Sequence, residues 1–237
     1  MVIVRLQGGL GNQLFQYSTG RALSEFNRQT LKLDLSWYIT RTDRLYRLEN
    51  FNIPTLIANN EDIDNVIFGN SKGIYRKLFM IIQKLLPNWS RRISSESLNL
   101  NQFNRIRGKK HLYLMGYWQS ELYFREIRDI LIRELQVSHP PDEVNRDYLD
   151  TIKASNAVSV HVRRGDYVSN TSTFMHHGVC SVDYYQQAGR LMSSQITSPT
   201  FFVFSDDIHW SVENISFDYP TVFIDHNDED KDYEDLR

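Results

Sequence analysis

The sequence predicts an α/β fold built on parallel sheets, and three observations point to it. Val2-Ile3-Val4-Arg5-Leu6 is a short apolar strand, followed by the glycine-rich Gln7-Gly8-Gly9-Leu10-Gly11-Asn12-Gln13 and then an amphipathic stretch. Val158, Val160 and Val162 alternate with Ser159 and His161 and run straight into Arg163-Arg164-Gly165. Phe201-Phe202-Val203-Phe204 is a continuous apolar run, as expected of a parallel strand covered on both faces, and it ends in Ser205-Asp206-Asp207.

The first strand and glycine loop lead into a helix expected from about Gln13 to Asn27, with Phe15, Ala22 and Phe26 near one face. Leu31 to Trp37 alternates again, which completes a βαβ opening. From Asn50 to about Gly108 the pattern is less regular. Within it, Ile74 to Leu86 spells a basic amphipathic helix stopped by Pro87. Such a helix either lies on a membrane surface or packs one face on its own domain, and the second is the commoner outcome. His111 to Met115 reads as a strand, and Glu121 to Leu135 as a helix with Phe124, Ile127, Leu131 and Leu135 on one stripe. Ser138-His139-Pro140-Pro141-Asp142-Glu143 is the best linker, because paired prolines end helices and stiffen connections. A short helix to about Ala154, a helix from Val182 to about Met192 capped by Ser181, and a strand over Thr221 to Asp225 complete the second half.

Composition narrows the function classes. With 27 Lys and Arg against 29 Asp and Glu the formal net charge is −2, which gives no reason to expect nucleic acid as a partner. One cysteine, Cys180, leaves no internal disulfide and fits a reducing compartment; it is expected to be a small packed residue. No stretch has the length and apolarity of a membrane span, and Arg5 comes too early for a signal peptide, so a cytoplasmic protein is expected. His176-His177 has no ligand spacing around it and is not expected to hold a metal.

The residues that carry chemistry sit at strand ends. Alternation sends His161 and Arg163 to one face and Arg164 to the other. One guanidinium can then face a ligand while its neighbour braces the loop. Paired arginines at the carboxyl edge of an α/β sheet stand where such folds bind ligands, and a guanidinium fork matches phosphate oxygens. A surface arginine pair bridged to Asp166 explains these residues equally well. The loop around Gly9-Leu10-Gly11 invites a dinucleotide reading with Asp34 as the ribose acid, but Leu14 stands where the third glycine belongs. What remains is a loop whose backbone and Asn12 amide can approach an anion or sugar at a helix N-terminus.

Taken together, Gly8-Gly9-Leu10-Gly11-Asn12-Gln13-Leu14-Phe15-Gln16-Tyr17, His161-Val162-Arg163-Arg164-Gly165-Asp166-Tyr167 and Phe204-Ser205-Asp206-Asp207 closely resemble the bacterial α-1,2-fucosyltransferases of glycosyltransferase family 11. Gly116-Tyr117-Trp118-Gln119-Ser120 and Asp183-Tyr184-Tyr185 resemble it too. The resemblance implies a GT-B-like fold of two Rossmann-like domains with the active site between them. Residues 1–140 would form the N-terminal, acceptor-side domain with an irregular insert at about 50–108, and 141–237 the C-terminal GDP-sugar-binding domain. It implies inverting, metal-independent transfer of L-fucose from GDP-β-L-fucose to the 2-OH of a galactoside, with no cofactor, in surface-glycan synthesis of the O-antigen type. Docking of the basic helix at Ile74 to Leu86 on a membrane surface would suit a lipid-linked acceptor, with a cytoplasmic enzyme peripheral to the inner membrane.

By the same resemblance Arg163 grips the donor β-phosphate, with Arg164 and His161 beside it. Asn12, Gly9 and Gly11 lie near the pyrophosphate and sugar. Ser205, Asp206 and Asp207 lie near the nucleoside. Asp166 is the one acid/base candidate, although two arginines beside it would lower its basicity and favour a structural pairing with Arg164. His161 is expected to hold the arginine loop. Family members continue beyond the equivalent of Tyr233-Glu234-Asp235-Leu236, so an incomplete second domain is expected, and with it the alternative of a catalytically silent GDP-sugar- or glycan-binding protein.

Overall fold

The computed structural model describes residues 1–40, 44–54, 56–69, 71, 73–95, 99–165 and 178–237. The chain divides into two compact units, Met1–His139 and Pro140–Arg237, and the division falls at the paired prolines.

Unit one holds a five-stranded parallel sheet of β1 (Val2–Arg5), β2 (Leu31–Asp34), β3 (Leu56–Ile57), β4 (Ile93–Ser95) and β5 (Leu112–Met115), in the order β3-β2-β1-β5-β4. Pairing of Val2 with both Leu31 and Leu112 fixes the register of the three central strands. Alternation along β1 sends Ile3 to one face and Val4 to the other. On the first face Ile3 and Tyr113 pack with Val66 and Ile67 of α2 (Asn60–Phe68). On the second, α1 (Leu10–Asn27) presses so close that a Cβ on Gly20 would lie 2.1 Å from Val4 Cγ2 and 3.0 Å from Leu31 Cδ1.

The helix begins at Leu10, three residues earlier than the periodicity predicts, because extended Gly9 serves as its N-cap and Gly11 enters the first turn. Leu31 to Trp37 is strand only as far as Asp34 and then winds into a 3₁₀ helix at Ser36–Thr40. The stretch 50–108, irregular in sequence, supplies both edge strands together with α2, α3 (Ile74–Leu85) and α4 (Leu100–Ile106). Strands two and three residues long show no readable period. Glu121 to Leu135 is not one helix: two 3₁₀ turns, Glu121–Tyr123 and Arg125–Ile127, precede α5 (Arg128–Glu134). The Tyr123 ring is anchored edge-on to Phe103 and Trp118, at 4.7 and 5.5 Å, which holds the first turn out of helical line.

For α3 the expectation of one face packed on its own domain is met only in part. Met80 joins the Ile3 cluster, Phe79 meets Phe68 edge-on at 6.3 Å, and Gln83 Oε1 accepts the Arg92 N–H at 2.7 Å. The isoleucine and leucine face of the helix is exposed. Among the described residues no helix is long and apolar enough to cross a membrane.

Unit two holds β6 (Asn156–Val162), β7 (Pro199–Ser205) and β8 (Thr221–Ile224), all parallel in that order. Phe201, Phe202 and Val203 are buried in succession, as a strand covered on both faces requires. Val162, Tyr185, Val203 and Ile215 form the core, drawn from the strands, from α7 (Val182–Gln195), and from the end of α8 (Ile208–Asn214). Gly189 of α7 faces Phe217, where a Cβ would come within 2.4 Å of the ring. Between β6 and the linker, α6 (Glu143–Lys153) is capped by Asp142, which accepts the Asn145 N–H at 2.9 Å. Cys180 is exposed rather than packed, against expectation, because it precedes the Ser181 cap of α7 in a surface loop.

Gly20→Ala should destabilise unit one by about 1–3 kcal/mol, because the Val4 methyl has nowhere to go. Adding Val4→Ala should return part of that loss in urea unfolding, and a strictly additive double variant would show the contact to be relaxed. Asp62 provides a second test. Its side chain accepts from Lys32 Nζ at 2.7 Å and from the Asn59 N–H at 3.0 Å, and these bonds hold its pKa below the usual value. The folded value lies under the unfolded one, so this contribution is full above about pH 4 and fades as pH falls through the folded value. Asp62→Asn should therefore flatten the loss of stability on acidification below about pH 4.

Candidate active site

In unit two the carboxyl ends of β6 and β7 are drawn together by polar bonds. Ser205 Oγ donates to the Val162 carbonyl at 2.9 Å and accepts the Asp207 N–H at 2.9 Å. Asp206 then reaches across to the arginines. One oxygen accepts the Arg164 N–H at 2.7 Å, and the other lies 3.1 Å from Arg163 Nε. Gly165 makes room for this, since a Cβ there would meet the Asp206 carboxylate at 3.0 Å.

The two arginines differ as alternation predicts. Arg163 keeps 41% of its side chain exposed, against 16% for Arg164. Arg164 lies over the Trp210 ring at 3.6 Å and has Asp207 Oδ2 3.6 Å from its Nε. A largely sheltered guanidinium stacked on an indole is well placed to brace the loop from behind. Asp207 is also the N-cap of α8, accepting the Trp210 N–H at 3.3 Å. Asp206 and Asp207 thus serve the arginines and the helix start. Trp210 was not a candidate in the sequence; its only signal was an aromatic residue four positions after Asp206. His161 is exposed and lines a cavity of about 150 Å³ with Ser159, Tyr184 and Met192. Asp166 and Tyr167, like His176 and His177, lie outside the described residues.

In unit one the glycine loop is held by amides. Gln16 pairs with both backbone groups of Gln7, accepting its N–H at 2.9 Å and donating to its carbonyl at 3.1 Å. Gln13 Nε2 donates to the Gly8 and Leu45 carbonyls at 3.2 and 2.8 Å, and its Oε1 accepts the Arg47 N–H at 2.9 Å. Both glutamines are fully buried, so each amide must find its partners inside the fold. Gly8 has φ +81°, a conformation that favours glycine, and its carbonyl also accepts from the Tyr38 hydroxyl at 3.0 Å. Burial pushes the Tyr38 phenol well above its ordinary pKa, so it remains a donor. No side chain caps α1, and a Cβ on Gly9 or Gly11 would meet nothing within 4 Å.

Asn12 stands in that first turn, and its Oδ1 accepts from Gln119 Nε2 at 2.7 Å. Gln119 follows Trp118, which has the left-handed φ of 55° although its ring is fully buried against Phe103. That conformation is strained for a bulky residue, and it aims the chain so that Gln119 orients the Asn12 amide. Asp34 is not available as a ribose acid. It is only 2% exposed and accepts from the Tyr113 hydroxyl and, at 2.8 Å, from the Ser36 N–H.

In parallel α/β sheets ligands bind at the carboxyl edge, and a cationic loop there suits a phosphate-bearing one. The chain belongs to glycosyl transferase family 11, whose model matches residues 1–236, and it is a glycosyltransferase. It is 37% identical over 217 residues to an alpha-1,2-colitosyltransferase of Escherichia coli, covering 89% of this chain and 70% of that protein. It is 28% identical to the O-antigen biosynthesis glycosyltransferase WbnK of Escherichia coli, over 94% of this chain and 78% of that one. Against the galactoside alpha-(1,2)-fucosyltransferase 2 of Sus scrofa it is 25% identical over 88% of this chain and 54% of that protein. Among solved structures, NodZ alpha-1,6-fucosyltransferase soaked with GDP-fucose aligns with a TM-score of 0.49 at 12% identity, covering 99% of this chain and 80% of that one.

Asp206→Ala should lower the stability of unit two by about 1 kcal/mol in urea unfolding, since it removes an acceptor and a half-exposed ion pair. Asp206→Asn, which keeps an acceptor for the Arg164 N–H, should lose less. Equal losses for the two variants would show that the backbone bond contributes nothing.

Proposed function

We propose that this chain transfers L-fucose from GDP-β-L-fucose to the 2-OH of a galactoside, with inversion and without a metal, in the synthesis of an O-antigen-type surface glycan. The observation that carries this reading is the Arg163–Arg164 loop, ordered by Asp206 at the sheet's carboxyl edge. In such a transfer the acceptor oxygen attacks the anomeric carbon on the face opposite the phosphate, and the bond from that carbon to the phosphate oxygen breaks. Negative charge then grows on GDP. A guanidinium already fixed in place stabilises it without reorganisation, and losing one such donor costs roughly 3–4 kcal/mol.

Arg163 takes the β-phosphate in this scheme, Arg164 holds the loop, and His161 supports it from β6. Ser205, Asp206 and Asp207 border the nucleoside side of the same loop. In unit one, Asn12 with Gly9 and Gly11 forms a turn at a helix N-terminus that suits an anion or a sugar. The transition state has oxocarbenium character, so the acceptor proton leaves late and needs only a weak base. Asp166 is the candidate for that role.

A second reading concerns the donor alone. The 37% identical relative is named for colitosyl transfer, so GDP-colitose is the competing donor. Both sugar nucleotides should be offered with a galactoside acceptor, in the presence of a chelator. Arg163→Ala should lower kcat/KM by about 10²–10³-fold while leaving the circular dichroism spectrum unchanged. An unchanged rate in that variant would overturn the assignment of Arg163, and loss of turnover with chelator would overturn the metal-free scheme. GDP binding without transfer from either donor would favour a silent sugar-nucleotide-binding protein.

A further inference from the structure

The helix α3 turns its most apolar surface to the outside. Ile74, Leu78, Ile81 and Leu85 are 76, 53, 57 and 81% exposed, and Tyr75 and Ile82 beside them 67 and 46%. At about 100° per residue these six side chains fall on one arc of about 120° along the helix. The opposite side is occupied: Gln83 and Met80 are packed on the domain, and Arg76 is bonded to Asp64 at 2.8 Å. A contiguous exposed patch of this kind is uncommon on a soluble chain and marks a surface that something covers.

Charge identifies the cover. Between Asp64 and Glu96 the sequence has no acid, while Lys72, Arg76, Lys77, Lys84, Arg91 and Arg92 fall in that interval, in a chain whose net charge is −2. Lys77 and Lys84 are both exposed and lie on one border of the apolar arc. Long lysine stems can extend along apolar surface while their ammonium groups stay at the polar boundary. A second copy of the chain is a poorer fit, because antiparallel two-fold pairing of this narrow face would bring like-charged lysine borders together.

We propose that α3 docks this protein on an anionic phospholipid bilayer. The helix lies in the plane of the interface, with Ile74, Leu78, Ile81 and Leu85 among the upper acyl chains and Lys77 and Lys84 at the headgroup phosphates. Lipid binding by this helix is independent of which sugar the chain transfers.

Co-sedimentation with vesicles of mixed phosphatidylglycerol and phosphatidylcholine, against phosphatidylcholine alone, tests this directly. The wild-type chain should pellet with the anionic vesicles and be released by salt. Leu78→Glu with Ile81→Glu should lower the bound-to-free ratio about tenfold or more, as should Lys77→Glu with Lys84→Glu, without altering the thermal unfolding profile. Wild-type protein that stays in the supernatant would overturn the proposal, as would equal vesicle binding by both double variants. A lipid-free dimer in sedimentation velocity, abolished by Leu78→Glu with Ile81→Glu, would assign the face to a second copy and overturn it equally.

Discussion

The Asp206 carboxylate is the constraint on which the arginine loop depends. β6 and β7 run in parallel for seven residues, paired as far as Val162 and Ser205, and the loop that follows β6 has no ladder to hold it. Asp206 supplies the hold, accepting from the Arg164 backbone with one oxygen while facing the Arg163 guanidinium with the other. Bare Gly165 and the Ser205 hydroxyl adapt the backbone around it. Arg164 meanwhile rests on Trp210, so the two neighbouring cations are held in different ways. A fixed guanidinium is worth more to a departing phosphate than a mobile one, because no free energy is spent on ordering it during the reaction.

Unit one reaches a similar end by other means. Its loop is shaped by Gln13 and Gln16, two buried amides that satisfy five backbone partners between them. The strained Trp118 is tolerated because its ring fills a pocket against Phe103 and Tyr123. What that strain obtains is a fixed amide at Asn12, held through Gln119.

Much of this was legible in the residues and some was not. The alternation of Val158, Val160 and Val162 gave the strand, its end and the divergence of the two arginines, because a period of two is a strong signal over seven residues. The apolar run at Phe201 was equally clear. The edge strands β3 and β4 were invisible, being too short to show a period. The helix expected from Glu121 was broken by aromatic packing around Tyr123, a long-range effect absent from local periodicity. Asp34 looked like a ligand acid because it ends a strand at a suitable distance, but only the fold reveals that Tyr113 occupies it. Gln13 and Gln16 resembled ordinary polar helix residues, and nothing local shows that they face inward.

Those two glutamines carry one more implication. Amide side chains neither gain nor lose protons across the range in which enzymes are assayed. The shape of the glycine loop is therefore set when the chain folds and stays the same from mildly acidic to mildly alkaline buffer. A bell-shaped profile of rate against pH, if one is recorded, would report on the acceptor hydroxyl, the phosphates or a titrating side chain elsewhere, and not on rearrangement of this loop.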